Sequence, residues 1–333
     1  MACKSTVWSL VFGCSSRNQS FINGKCGWID IHQLRYILTR HHSGSTRYET
    51  KSTRKSGTSS RREFIFGVGP CVLALSSGRR KVFKIYMNEE ANNTASRPEF
   101  ERVLSLAEKK EIEVVLTSRK KLTRLSQGRP AQNIVMEVSC LHFCHFNEED
   151  DELQSIASLH PLVLALDEIQ DPMNFGAIIR TSWLLGVDKI VVPKQNSAPL
   201  SPVVSKASAG AMEVFNVYQT PDLPKFLQER AAIGWDVLGA VQPITDDSHH
   251  RPVNCAEYSL SKPTVLVLGN EGRGLRNTVQ QQCTQLLSIY PHHAQNSFQS
   301  IDLDSFNVSV AAGILVFSLL KNSYSTQEKK SIV

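Results

Sequence analysis

From residue 161 to residue 320 short apolar runs and helical patterns take turns along the chain, and this alternation limits the fold more than any other feature. The runs 162–166, 189–192, 213–218, 235–241, 264–268 and 286–290 have the length and apolar character of strands. Between them, 175–185, 222–232 and 275–284 place apolar residues at helical spacing, and a last helix is expected from about 308 to 321. Parallel neighbours need a crossover connection, so the alternation predicts a parallel α/β sheet with helices on its faces. Ligands of such sheets sit beyond the carboxyl ends of the strands, which directs attention to the loops after Leu166, Leu268 and Tyr290.

A smaller α/β unit precedes this region. Residues 67–76 have the spacing of a short helix, 82–86 alternate as a strand, 100–110 form an amphipathic pattern, and 113–116 and 134–138 are strand-like. The pattern then lapses, and an unbroken acidic run, Glu148 to Glu152, has the character of a solvated linker. The expected organisation is an extension over 1–62, a small domain over 63–139, a linker over 140–160, a large domain over 161–322 and a tail over 323–333.

Charge separates the extension from the rest. Residues 1–62 hold eleven Lys and Arg against Asp30 and Glu49, a balance of +9 in a chain of formal charge +6, so the remainder sums to −3. A Ser/Thr-rich, Arg-rich segment almost without acids has the composition of a mitochondrial transit peptide; a disordered RNA-binding arm and a secretory signal are the competing readings. No apolar run approaches the length that spans a bilayer. Eight irregularly spaced cysteines are read as reduced thiols, and the one cluster, Cys140, Cys144 and His145, lacks a second ligand pair, so no metal is expected.

Three loops concentrate the unusual residues. After the first strand of the large domain, Asp171-Pro172 ends the strand, and Asn174 stands where a helix N-cap is expected. Gly176 and Arg180 are four apart on one helix face, leaving room beside a guanidinium for a phosphate or sugar. After 264–268 comes Gly269-Asn-Glu271-Gly-Arg-Gly274, whose glycines allow close backbone approach, although its spacing fits neither G-x-G-x-x-G nor the P-loop. The third segment, Ser305-Phe306-Asn307, can cap the final helix, which opens with small residues. Taken singly, each is explained by caps and turns.

In combination, N-x-G-x-x-x-R, G-x-E-G-x-G-L and S-x-N-V-S-V-A, in this order and at strand ends, resemble the three motifs of the SpoU (TrmH-type) ribose methyltransferases of the SPOUT superfamily. The resemblance covers roughly residues 64–320, because the small domain is similar to the L30e-like RNA-binding domain that precedes the catalytic domain in some members. It implies a trefoil-knotted α/β catalytic domain, a homodimer, and S-adenosylmethionine as cofactor. The implied catalytic surround is Asn174, Arg180, Glu271, Ser305 and Asn307, and the implied cofactor contacts are Leu268, Gly269, Gly274, Ile289 and Phe306. Members usually carry Leu where this chain has Phe306. The implied substrate is a guanosine of mitochondrial large-subunit ribosomal RNA; a transfer-RNA methyltransferase and a catalytically silent assembly factor are the alternatives.

The family ascribes proton removal to the arginine at the position of Arg180. A guanidinium with a pKa above about 12 is a poor base. Gripping an RNA phosphate and orienting the hydroxyl is the better-suited role. Lys206 and Ser208, beside Ser205, are candidate RNA contacts of the large domain, as are Arg79, Arg80, Arg124 and Arg129 of the small one.

Overall fold

The computed structural model describes residues 61–89, 98–145, 160–243, 251–290 and 305–330. The extension through residue 60 and the acidic run at 148–152 lie outside the described residues.

In the small domain, β1 (Arg62–Phe66), β2 (Val82–Asn88), β3 (Val114–Thr117) and β4 (Ile134–Ser139) form one sheet in the order β1-β4-β2-β3. The first strand starts at Arg62, which composition assigns to the extension, and Arg62 is ion-paired to Glu137 at 2.9 Å. Helices α1 (Val68–Ser77) and α2 (Pro98–Lys109) cover one face, where Leu75, Phe100 and Val103 pack on Ile85 and Met136. On the other face lies α3 (Arg119–Leu125), which buries Leu122 against Phe66 and Val135. Sequence periodicity misses α3, because its two apolar residues, Leu122 and Leu125, are too few to define a stripe.

The large domain holds an eight-stranded, all-parallel sheet in the order β10-β12-β9-β11-β6-β7-β8-β5. Its strands are β5 (Cys144–His145), β6 (Leu162–Leu166), β7 (Lys189–Pro193), β8 (Val217–Thr220), β9 (Asp236–Ala240), β10 (Val253–Asn254), β11 (Thr264–Leu268) and β12 (Gln285–Ser288). The helices are α4 (Pro172–Leu185), α5 (Pro202–Ala207), α6 (Leu223–Ala232), α7 (Asn277–Gln280) and α8 (Val308–Lys330). Strand β5 lies within the expected linker yet adds an edge to this sheet by pairing with β8.

Both faces of the sheet are covered, which is why its strands are continuously apolar instead of alternating. Leu162, Leu164 and Leu166 point to the face packed by Phe175 and Ile178 of α4, Val204 of α5, and Leu315 and Leu319 of α8. Val163 and Ala165, one residue out of phase, point to the face packed by Phe226 and Leu227 of α6 and Val279 of α7.

One expected strand is partly something else. Residues 211–213 form a 3-10 turn, and the strand begins only at Val217. Ala209 and Gly210 both have positive φ, 52° and 92°, and they turn the chain so that Glu213 points inward, where it is fully buried.

Helices α4 and α5 approach to backbone contact at Gly176. A Cβ there would lie 2.5 Å from the Cβ of Ala207 and 2.9 Å from the carbonyl oxygen of Val204. Overpacking of this kind costs about 1–3 kcal/mol, so Gly176→Ala is expected to lower stability by that amount in chemical denaturation. The described cysteines are all free. Burial pushes the Cys283 thiol up to about 12 and raises Cys71 still more. Both thiols therefore stay protonated and are expected to resist iodoacetamide at about pH 8 until the protein is unfolded.

Candidate functional site

Strand β11 inserts between β6 and β9, so from β6 the chain runs outward through β7 and β8 on one side while β11, β9 and β12 lie on the other. The carboxyl ends of β6 and β11 therefore open at the point where strand order reverses, the usual place for a ligand crevice. Their register, Leu166 opposite Leu268, brings the two following loops together, and the Asp167 amide donates to the Leu268 carbonyl at 2.8 Å.

Asn174 is not the cap of α4. Asp171 holds that position, accepting from the amides of Met173 (3.2 Å) and Asn174 (3.0 Å), because Pro172 already has the fixed φ of a first helical residue and needs no amide partner. The Asn174 side chain is thereby released for longer-range contacts. Its Nδ2 donates to Glu271 Oε1 at 2.8 Å, and its Oδ1 accepts from Asn307 Nδ2 at 3.1 Å. A carboxylate only accepts, so Glu271 fixes which end of the Asn174 amide faces Asn307. Asn307 in turn caps α8, its Oδ1 accepting from the amide and hydroxyl of Ser309 at 2.9 and 2.6 Å. The three loops thus meet through side chains 97 and 133 residues apart in sequence.

The glycine loop after β11 is closed on itself. Asn270 and Gly274 exchange backbone hydrogen bonds of 3.0 and 2.9 Å, and a Cβ on Gly269 would lie 2.2 Å from the Gly274 carbonyl carbon, so only glycine fits. Residues that sequence reasoning overlooks tie this loop to the end of β6. Arg276 grips the buried carboxylate of Asp167 at 2.6 Å, Asn270 Nδ2 donates to the Glu168 carbonyl at 3.0 Å, and Arg273 pairs with Glu168 at 3.2 Å. The Asp167 hydrogen bond holds the Arg276 guanidinium above its ordinary range. A cleft of about 440 Å³ opens between Asp167, Glu168, Arg273 and Arg276. The available signal was two acids directly after a buried strand, Asp167-Glu168, with Arg273 in the glycine loop and Arg276 just after it.

Around this junction, Leu268 is buried as the last residue of β11, Ile289 is half-buried after β12, and Ser305 and Phe306 are exposed. Arg180 is exposed on α4 and forms no hydrogen bond or ion pair among the described residues. Room beside it does not come from Gly176, whose empty face is filled by α5.

Three expected RNA contacts of the chain are committed elsewhere. Arg80 has a fully buried side chain, ion-paired to Glu213 at 2.6 Å and to Glu63. Burial pulls its guanidinium down, but the two carboxylates outweigh this and hold it above the ordinary range. Arg79 donates to the carbonyls of Met212 (2.9 Å) and Phe215 (3.2 Å). Ser208 is buried and donates to the Ser205 carbonyl at 3.0 Å. Adjacent cations suggest a solvated patch, whereas the partners of both arginines lie some 133 residues away in sequence. Lys206 donates from Nζ to Gln132 at 2.6 Å, and its desolvation lowers its pKa. Exposed cations of the small domain include Arg119, Lys120, Lys121, Arg124 and Arg129, in a segment without an acid from Val114 to Ala131.

Asn307→Ala removes a helix cap and the Asn174 bond together and is expected to lower stability by about 1–2 kcal/mol. Ser305→Ala, at an exposed position, should stay within about 0.5 kcal/mol, and thermal denaturation of the two variants makes the comparison.

Comparison with known proteins agrees with this arrangement. Human mitochondrial rRNA methyltransferase 1 is 40% identical over 296 residues, spanning 85% of this chain and 82% of that one. The 23S rRNA (guanosine-2′-O-)-methyltransferase RlmB of Pseudomonas putida is 29% identical over 260 residues, 78% of this chain and 96% of its own length. Among solved structures, the SpoU methyltransferase AviRb of Streptomyces viridochromogenes, determined in complex with AdoMet, shares the fold with a TM-score of 0.59 at 20% identity over 79% of this chain and 91% of that one. Residues 64–143 match the RNA 2′-O ribose methyltransferase substrate-binding family, and with residues 161–317 matching the SpoU rRNA Methylase family, the chain belongs to the SpoU methylases.

Proposed function

We propose that this protein transfers a methyl group from S-adenosylmethionine to the 2′-hydroxyl of a guanosine in mitochondrial large-subunit ribosomal RNA. The observation that carries the reading is the junction of Asn174, Glu271 and Asn307 at the β6/β11 switch point, with Arg180, unpaired among the described residues, on the same helix as Asn174. Membership of the SpoU methylases supports it. The names of the human and Pseudomonas relatives support the ribosomal and guanosine parts.

The residues at the junction suit the cofactor. Half-buried Ile289 and exposed Phe306 offer apolar surface to a purine, the self-closed loop from Gly269 to Gly274 leaves its rim to main-chain groups, and Glu271 supplies negative charge for a sulfonium. The bound cofactor supplies an electrophilic methyl group. Everything else falls to the protein. Fixing the hydroxyl in line is worth several kcal/mol, on the order of 7 or more in well-oriented cases. Arg180 performs that task by gripping the adjacent RNA phosphate with its planar fork, while the hydroxyl proton leaves to that phosphate or to water. Asn174 is kept in one orientation by Glu271 and Asn307, so it meets the ribose without reorganising.

RNA is captured by the small domain through the cations of α3 and its following turn, Arg119 to Arg129, which replace Arg79 and Arg80 in that role. The protein acts as a homodimer, supported by Met173, Leu184, Val310 and Phe317, apolar side chains that α4 and α8 leave exposed. A trefoil knot in the catalytic domain belongs to the same reading and rests on the family. The site of action is the mitochondrial matrix, supported by the composition of residues 1–62 and by the mitochondrial relatives.

Arg180→Lys keeps the charge but loses the fork, and kcat/KM for methylation is expected to fall by at least about tenfold; near-normal turnover would falsify the clamp. Replacing Lys120 and Lys121 together by Ala should weaken RNA binding and reduce the slope of log affinity against log salt by up to about two. Mapping 2′-O-methylation in cells lacking the protein should show a single lost mark in large-subunit ribosomal RNA, and a loss confined to transfer RNA would overturn the substrate.

A further inference from the structure

The contact between the two domains is built from buried charge and backbone, and it leads directly to the catalytic helix. Arg80 reaches from the small domain with Nε to Glu213 Oε2 (2.6 Å) and Nη2 to Glu213 Oε1 (3.1 Å), and both side chains are fully buried. Its Nη1 also donates to the Ser139 carbonyl at 2.8 Å, anchoring the guanidinium to its own domain. Around this pair the main chains touch. A Cβ on Gly69 would lie 2.7 Å from the Ala209 carbonyl oxygen, and one on Gly210 would lie 2.9 Å from the Gly69 carbonyl oxygen. Arg79 and Lys206 bridge the same seam in opposite directions, to Met212 and to Gln132.

From Glu213 the connection continues inward. Its Oε1 accepts from Ser205 Oγ of α5 at 2.6 Å. Helix α5 is the element that packs against α4 at Gly176, at distances that leave no space for a single added carbon. Helix α4 carries Asn174 and Arg180. An ion pair between buried groups adds little net stability compared with apolar residues of the same volume, but breaking it is costly and its geometry is exacting. Orientation is the property such a pair supplies best.

We propose that Arg80 and Glu213 are positioning residues of the methyl transfer: they latch the small domain to α5, and through α5 to α4, so that RNA held by the small domain meets Asn174 and Arg180 at one fixed distance and angle. This rests on the reading of the chain as an RNA ribose methyltransferase. The small domain is then a ruler and not a tethered hook, and the latch matters only for substrates long enough to engage both domains.

The test replaces the pair by apolar residues of similar volume, Arg80→Met with Glu213→Leu, in the full chain. Three measurements are made beside the wild type: calorimetric binding of S-adenosylmethionine, hydrogen exchange at residues 67–72 and 202–213, and methylation kinetics. The kinetics use a large-subunit ribosomal RNA fragment and a short oligonucleotide carrying only the target nucleotide and its immediate neighbours. Expected are unchanged cofactor binding, faster exchange at the seam, and a fall of about 10- to 100-fold in kcat/KM on the long RNA, shared between kcat and KM, with the slow basal rate on the short oligonucleotide unchanged. Wild-type rates on the long RNA despite a loosened seam would overturn the proposal. So would equal losses on both RNAs, which would make the defect one of folding or chemistry. If the double variant fails to fold, Glu213→Gln, which keeps the packing and removes the charge, carries the same comparison. Failure of the wild type to bind S-adenosylmethionine or to methylate either RNA would instead count against the function itself.

Discussion

Everything in the large domain depends on β11 pairing with β6 in register. Five consecutive residue pairs, Thr264 with Leu162 through Leu268 with Leu166, align two strands whose sequence positions differ by about a hundred. Parallel pairing sends both chains out of the sheet at the same edge, so the loops that follow must meet. The Asp167–Arg276 ion pair then locks those loops at a distance where Asn174 and Glu271 can bond. A slip of one residue would turn every side chain of β11 to the opposite face and exchange its contacts with α4 and α8 for contacts with α6 and α7. The apolar runs on both faces prevent that slip, and the site is held in place by the core beneath it.

Much of this architecture was legible in the sequence because the strands are uninterrupted and both faces bury apolar residues. The six runs of the large domain locate six strands, and the motif loops fall at their carboxyl ends. Legibility stopped where long-range partners decide. Asn174 looked like a cap, but Asp171 and Pro172 together make a better helix start, and the partners that give Asn174 another use lie on distant loops. Gly176 suggested space for a ligand, and the space belongs to α5. Arg79 and Arg80 looked like a basic patch; nothing local to them announces Glu213, itself hidden inside what reads as a strand. The small helix α3 was missed for the opposite reason, since its purpose is to expose cations and bury one leucine.

The small domain is distinguished by where its charges go. Two of its arginines turn inward to the seam, while five cations between Arg119 and Arg129 face solvent on the far side of the sheet from α1 and α2. The stretch from Val114 to Ala131 holds those five cations without an acid, so their attraction for a polyanion is not offset within the segment.

Asn307 both begins the last helix and completes the amide chain that starts at Asn174. The same helix buries Leu315, Val316 and Leu319 in the core beneath the sheet, so the junction and the core share their last element. A chain cut before Asn307 loses the third member of the junction and the apolar stripe that seals one face of the sheet in a single stroke.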